Sequence, residues 1–267
     1  MMRAAAAGVV LAAGLLLAAC AAGPERLPAD EPRAIATASD QTDVDRRAQV
    51  RLELASAYFG RGQLDTALDE VKQALAINPQ SADAYGLRAL IYGAMGESRL
   101  AEDSYRRALA INPRDGGLLH NQGWFYCQQN RQAEAQARFA EALAQPQYRD
   151  VARTQLARGI CFGRDSRWTE AEGALMRAYE LDPANPAVGI NLAEVLYRRG
   201  ELERARFYVG RLNDNPALVN AQTLWLAARI EHKAGRIQPA RRLGDQLRSR
   251  HPQSPEAALY ERGQFDD

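Results

Sequence analysis

Six alanines set a beat that few folds can accommodate. Ala67, Ala101, Ala135, Ala171, Ala205 and Ala240 lie 34, 34, 36, 34 and 35 residues apart. Nine residues before each stands Tyr58, Tyr92, Tyr126, Phe162, Leu196 or Glu231, and five before stands Gly62, Gly96, Asn130, Ser166, Gly200 or Gly235. Pro79, Pro113, Pro146, Pro183, Pro216 and Pro252 close the successive periods. A small residue at a fixed step lets two helices approach closely, and the glycine or asparagine before it supplies the left-handed residue that ends a helix. The proline then stops the second helix, because the residue before proline avoids helical angles. Each period therefore reads as helix, tight turn, helix, connection.

A period of 34 with these punctuation marks is the signature of tetratricopeptide (TPR) repeats. The expected fold is all-α: a TPR superhelix, or α-α solenoid, of about six helix-turn-helix repeats. A single α-hairpin of this kind cannot bury its apolar face, so neighbours stack and leave a concave groove. The repeats fall near 48–81, 82–115, 116–149, 152–185, 186–219 and 221–254, within a TPR domain over 45–254. Residues 255–267 are expected to form a C-terminal tail or short capping helix. In repeat one Leu54, Ala55 and Tyr58 are expected to face inward. Asn130 suits the turn because asparagine is the next residue to tolerate a left-handed conformation. Glu231 stands where an aromatic is expected.

The first residues have a different chemistry. Arg3 precedes the apolar run Ala4 to Leu17, which is too short for a stable transmembrane anchor. Leu17-Ala18-Ala19-Cys20 then resembles a bacterial lipobox, in which Cys20 is acylated and becomes the first mature residue. An ordinary secretory signal with an incidental cysteine is the alternative. The expectation is a lipoprotein signal peptide over 1–19 and a lipidated tether over 20–44, rich in Ala, Pro and Asp. Ala21, rather than Asp, after the cysteine resembles an outer-membrane address in Gram-negative lipoproteins. Acyl chains would then hold the chain to the outer membrane, facing the periplasm. Formal charge is +1, with 34 basic and 33 acidic residues, which gives no reason to expect a nucleic acid as partner.

In TPR arrays the concave wall is built by the first helix of each repeat. Beside the polar Ser56, Gln128, Arg164, Glu194 and Arg198, its groove positions here are Leu52 and Phe59 from repeat one, Leu90 from repeat two, and His120 and Trp124 from repeat three. Leu156 and Ile160 follow from repeat four, then Ile190 and Tyr197 from repeat five. A wall this apolar suits an amphipathic or hydrophobic segment of another protein. It lacks the Lys, Asn and Arg set that clamps a terminal carboxylate. Cys127 and Cys161 fall on the first helices of adjacent repeats, where the sequence favours a disulfide if the α-carbons come within about 7 Å. Two buried free thiols are the alternative. His120, His232 and His251 make no metal-ligand spacing with each other, a cysteine or an acid. No phosphate loop, nucleophile elbow or HExxH stretch is present in the sequence. No catalytic residue, metal, cofactor or small-molecule substrate is expected; this is read as a binding protein and not an enzyme.

One stretch is more specific than generic repeat features. Asn112-Pro113-Arg114-Asp115-Gly116-Gly117 leads into Asn121-Gln122-Gly123-Trp124-Phe125-Tyr126-Cys127, and Gly159-Ile160-Cys161 follows in repeat four after Pro146 and Tyr148. With the lipobox, this resembles the type IV pilus biogenesis/stability lipoproteins, the PilW/PilF-type pilotins. The resemblance covers nearly the whole chain after Cys20, apart from the tether and the last dozen residues. Gln122 and Trp124 depart from the family's pattern. It implies a pilotin that binds the type IV pilus secretin subunit through the groove, promotes secretin multimerisation in the outer membrane, and supports pilus biogenesis and twitching motility. A general TPR envelope lipoprotein that scaffolds peptidoglycan hydrolases or proteases is the alternative.

Overall fold

The computed structural model describes residues 43–265; the predicted signal segment, Cys20 and nearly all of the predicted tether lie outside the described residues. Thirteen α-helices and no strand occur among the described residues. Six hairpins come first. They are α1 (Asp43–Gly60) with α2 (Leu64–Ile77), α3 (Ala82–Ala94) with α4 (Ser98–Ile111), and α5 (Gly116–Gln128) with α6 (Gln132–Leu143). Then come α7 (Val151–Arg164) with α8 (Trp168–Leu181), α9 (Pro186–Arg198) with α10 (Leu202–Asn213), and α11 (Ala221–Lys233) with α12 (Ile237–Arg250). A seven-residue helix, α13 (Pro255–Glu261), ends the stack.

The hairpin turns are made alike. Gly62, Gly96, Gly200 and Gly235 have φ between 73° and 80°, and Asn130 and Ser166 take the same conformation at 58° and 55°. A serine there carries a steric cost that a glycine does not. The first helix of most repeats starts differently, on a side-chain cap. Ser81, Asp115, Asn185 and Asn220 each accept a hydrogen bond from the backbone N–H two or three residues on. Such caps satisfy donors that the first helical turn leaves orphaned. α1 begins at Asp43, earlier than the predicted repeat one and inside the predicted tether. Asp43 and Asp45 in its first turn favour the positive helix end, and Ala48 is buried.

Packing within a hairpin follows one reciprocal rule. The first helix offers a small residue (Ala55, Ala89, Gly123, Gly159, Ala193 or Ala228) and the second answers four residues after its alanine. The answering residues are Val71, Tyr105, Phe139, Leu175 and Val209, all at most 1% exposed. A methyl group on Gly123 would meet the Phe139 ring at 2.8 Å, and one on Gly159 would meet Leu175 at 2.5 Å. Real carbon atoms do not approach that closely, so these glycines are needed by their partners. In repeat six the rule inverts. Gly244 holds the large position, and Tyr260 of α13 fills the space above it.

Ion pairs link successive hairpins. Glu102 on α4 accepts two hydrogen bonds from Arg131, at 2.9 and 3.2 Å, which hold its carboxyl below the usual range. Arg131 also lies 4.2 Å over the Tyr126 ring. Glu172 on α8 pairs with Arg199 and with Arg204 at 2.7 Å. Glu231 is 6% exposed and occupies the position filled by Tyr58, Tyr92, Tyr126, Phe162 or Leu196 in earlier repeats. Arg206 from α10, at 3.0 Å, and Arg236 satisfy it. Without such partners a buried carboxylate would be costly.

Candidate functional site

The backbone of each first helix lies close to that of the first helix of the next repeat, whereas successive second helices stand further apart and meet through side chains, as Tyr208 on α10 does with Met176 and Tyr179 on α8. The first helices therefore form the tighter, inner layer, and the curve opens toward them. Leu52 and Phe59 on α1, Leu90 on α3, Trp124 on α5, Leu156 and Ile160 on α7, and Ile190 on α9 are all half-buried on this layer. Leu52 and Phe59 rest on the core around Ala55, Val71 and Tyr85. Leu90 and Trp124 rest on the next core, around Tyr105, Phe125 and Phe139. The Arg164 guanidinium stands 5.4 Å over the Trp124 ring, leaving a cation at the margin of an aromatic surface.

Two predicted wall residues are not on the wall. His120 is 4% exposed, and its Nδ1 lies 2.8 Å from Thr154 Oγ1, which in turn lies 2.6 Å from the Tyr148 hydroxyl. The longer connection between α6 and α7 carries Tyr148 over Gly116, closing this side of repeat three. Burial, with a smaller push from Arg153 against a pull from Asp150, lowers the His120 pKa to about 4. It is a neutral packing residue with no open face. Tyr197 is 3% exposed because the end of the chain covers it, with its hydroxyl donating to the Phe265 carbonyl. Leu54, expected to face inward, is 40% exposed; among the described residues no hairpin precedes α1 to cover it.

Cys127 and Cys161 form a disulfide between α5 and α7, with α-carbons 5.8 Å apart. It ties repeats three and four together beneath Trp124 and Ile160. Sequence reasoning missed a second feature, a cleft of about 1010 Å³ lined mainly by α4, with Gln122, Tyr126 and Arg138. Its walls mix acids and arginines, and the Gln122 Oε1 is buried without a hydrogen-bond partner. No group of three or more His, Cys, Asp or Glu among the described residues could hold a metal ion. The inner layer offers shape, apolar area and edge cations, which is the chemistry of protein recognition.

Family models described as TPR repeat or tetratricopeptide repeat match residues 55–96, 82–115, 104–137, 121–186 and 164–217. The chain is 28% identical over 212 residues to the type IV pilus assembly protein PilF of Pseudomonas aeruginosa, covering 79% of this chain and 84% of PilF. It superposes on the crystal structure of PilW, described as a widely conserved type IV pilus biogenesis factor, with a TM-score of 0.76 and 29% identity. That match covers 82% of this chain and 99% of PilW. The solved structure of Pseudomonas aeruginosa PilF gives a TM-score of 0.72 at 27% identity, over 83% of this chain and all of that one.

Proposed function

Because the chain is a tetratricopeptide-repeat protein homologous to the type IV pilus assembly protein PilF, we propose that it acts as a pilotin for the pilus secretin. On this reading Cys20 carries the acyl chains, and residues 20–44 let the repeats reach away from the outer membrane. None of the described helices is long and apolar enough to cross a membrane, so acyl chains would make the bilayer contact. The half-buried stripe of Leu52, Phe59, Leu90 and Trp124 shields an apolar secretin segment until subunits assemble. The observation that carries this reading is the likeness to PilW over 99% of its length, together with an inner face that stays apolar in this chain.

Aromatic anchors dominate interfaces of this kind, each worth about 2 kcal/mol or more when lost. The Phe59→Ser, Trp124→Ser double variant is therefore expected to lose secretin multimers and twitching motility while its circular dichroism stays helical. Normal multimers from that folded variant would move the contact elsewhere. Cys20→Ala is expected to leave the membrane fraction. Retention there would remove the lipid anchor from the proposal.

A further inference from the structure

Phe265 is placed as a bound ligand would be. After α13, Gly263 turns the chain at φ 67° with the bonds that end the earlier first helices. The Gly263 N–H reaches the Tyr260 carbonyl at 2.9 Å and the Gln264 N–H the Leu259 carbonyl at 3.0 Å, as Gly62 and Gln63 do with Phe59 and Tyr58. α13 has seven residues where the first helices of repeats two to six have 13 or 14, so this turn comes early and returns the chain onto α9 and α11. There the Phe265 ring stacks on the His232 imidazole, with centroids 4.0 Å apart and planes at 10°, and lies 5.2 Å from Trp225. Its carbonyl accepts from the Tyr197 hydroxyl at 3.3 Å and from Arg229 Nε at 3.1 Å.

Covering an apolar repeat end needs only an apolar side chain. It does not need a main-chain carbonyl held by two side-chain donors. Arg229 is 6% exposed, and its Nη2 is buried with no hydrogen-bond partner. The Arg229 guanidinium and the Lys233 ammonium stand 4.6 and 4.5 Å over the Tyr197 ring, and Lys233 makes no ion pair among the described residues. Of the acids nearby, Glu194 is engaged by Arg198 at 2.8 Å and lies 3.6 Å from Arg229. Glu256 stands at the rim of an adjoining cavity of about 310 Å³, which Ile190, Trp225 and Leu259 also line. Glu261 lines a cavity with His232, Phe265, Arg241 and Arg248, so the cation left over beside the aromatic seat is Lys233, and the sequence follows Phe265 with Asp266 and Asp267.

We propose that Tyr197, Trp225, Arg229 and His232 form a second peptide-recognition site, separate from the stripe over repeats one to three. It takes an aromatic residue followed by acidic residues from a partner protein, and the chain's own end occupies it until displaced. A tethered occupant competes at an effective concentration in the millimolar range, so a partner must out-bind it or reach the site when it is vacated.

The probe is a fluorescent peptide of residues 261–267, Glu-Arg-Gly-Gln-Phe-Asp-Asp, with its phenylalanine-to-alanine counterpart as control. Anisotropy titrations compare the intact protein with full-length Phe265→Ala. The expected result is at least tenfold tighter binding to the variant than to the intact protein, and at least tenfold weaker binding of the control peptide. Tyr197→Phe, made in the variant, keeps the ring and removes one donor. It is expected to weaken the peptide severalfold with little change in melting temperature. Equal, phenylalanine-independent binding to both proteins, or none to a folded variant, would reduce this end to a packing cap. If Phe265→Ala does not fold, the same titration on the chain ending at residue 262 decides the matter by the same criteria. Concentration-dependent dimers of the intact protein that vanish on Phe265→Ala would overturn the partner assignment in favour of exchange between copies.

Discussion

Repeats three and four and repeat six fill the same kind of space in opposite ways. In the middle of the stack the first helix gives up its side chain at Gly123 or Gly159, and Phe139 or Leu175 of the same hairpin enters. At the end the second helix gives up its side chain at Gly244, and Tyr260 enters from outside the hairpin. The middle adds a covalent tie and a buried His120–Thr154–Tyr148 chain. The end adds a carboxylate between two arginines and borrows the tail to cover α11, where Thr223 to Glu231 are all buried. A hairpin with neighbours on both sides can complete itself, whereas a terminal hairpin must be completed by the tail beyond it.

The sharpest way to break the contrast is Phe139→Ala. It should empty a fully buried ring site and cost about 3–5 kcal/mol in urea denaturation. A cost below about 1 kcal/mol would mean that the middle is not self-filled. Next comes Cys161→Ser or reduction of the disulfide, which closes 34 residues and should cost about 3–4 kcal/mol by loop entropy. Amide protection of α11 should not change, because the tie does not reach repeat six.

Acid should loosen the middle specifically. His120 titrates near 4 when folded and near 6.5 when unfolded, so the unfolded chain binds the proton first. Stability is complete above pH 6.5 and falls as the pH drops toward 4, by about 2–3 kcal/mol. His120→Gln should flatten that part of the profile; an unchanged slope would assign it to carboxylates instead.

The paired glycines give a finer comparison. Gly123→Ala meets a ring boxed in at 0% exposure and should cost about 1–3 kcal/mol. Gly244→Ala meets Tyr260, which is half-exposed and can swing outward, so its cost should stay under about 1 kcal/mol. The smallest effect is a gain. Ser166→Gly relieves a left-handed serine and should add about 0.5–1 kcal/mol to the melting free energy.

Spacing alone carried much of this fold. The alanine beat located the hairpins, and the residues five before each alanine located the left-handed turns, including Asn130 and Ser166. The periodic rule says which way a side chain points from its own helix, but not what arrives to cover it. Leu52, Phe59, Leu90 and Trp124 stay half-buried on the inner layer, with the Arg164 guanidinium over the Trp124 ring. His120 is covered by a connection longer than the repeat demands, and Tyr197 by a tail that returns from outside the period. Leu54 departs in the opposite sense, with no neighbouring hairpin before it among the described residues. The Gln122 cleft lies at the seam between hairpins, which no single period describes.

The buried carboxylate of Glu231 has a consequence for how such a chain can be rearranged. Its partner Arg206 belongs to the preceding hairpin, and the equivalent place one hairpin earlier is held by Glu172. Deleting repeat five and splicing six onto four would set two acids face to face in a dry seam. The modules are therefore keyed to their order, and shuffled versions of this array would be rejected by electrostatics before shape was ever tested.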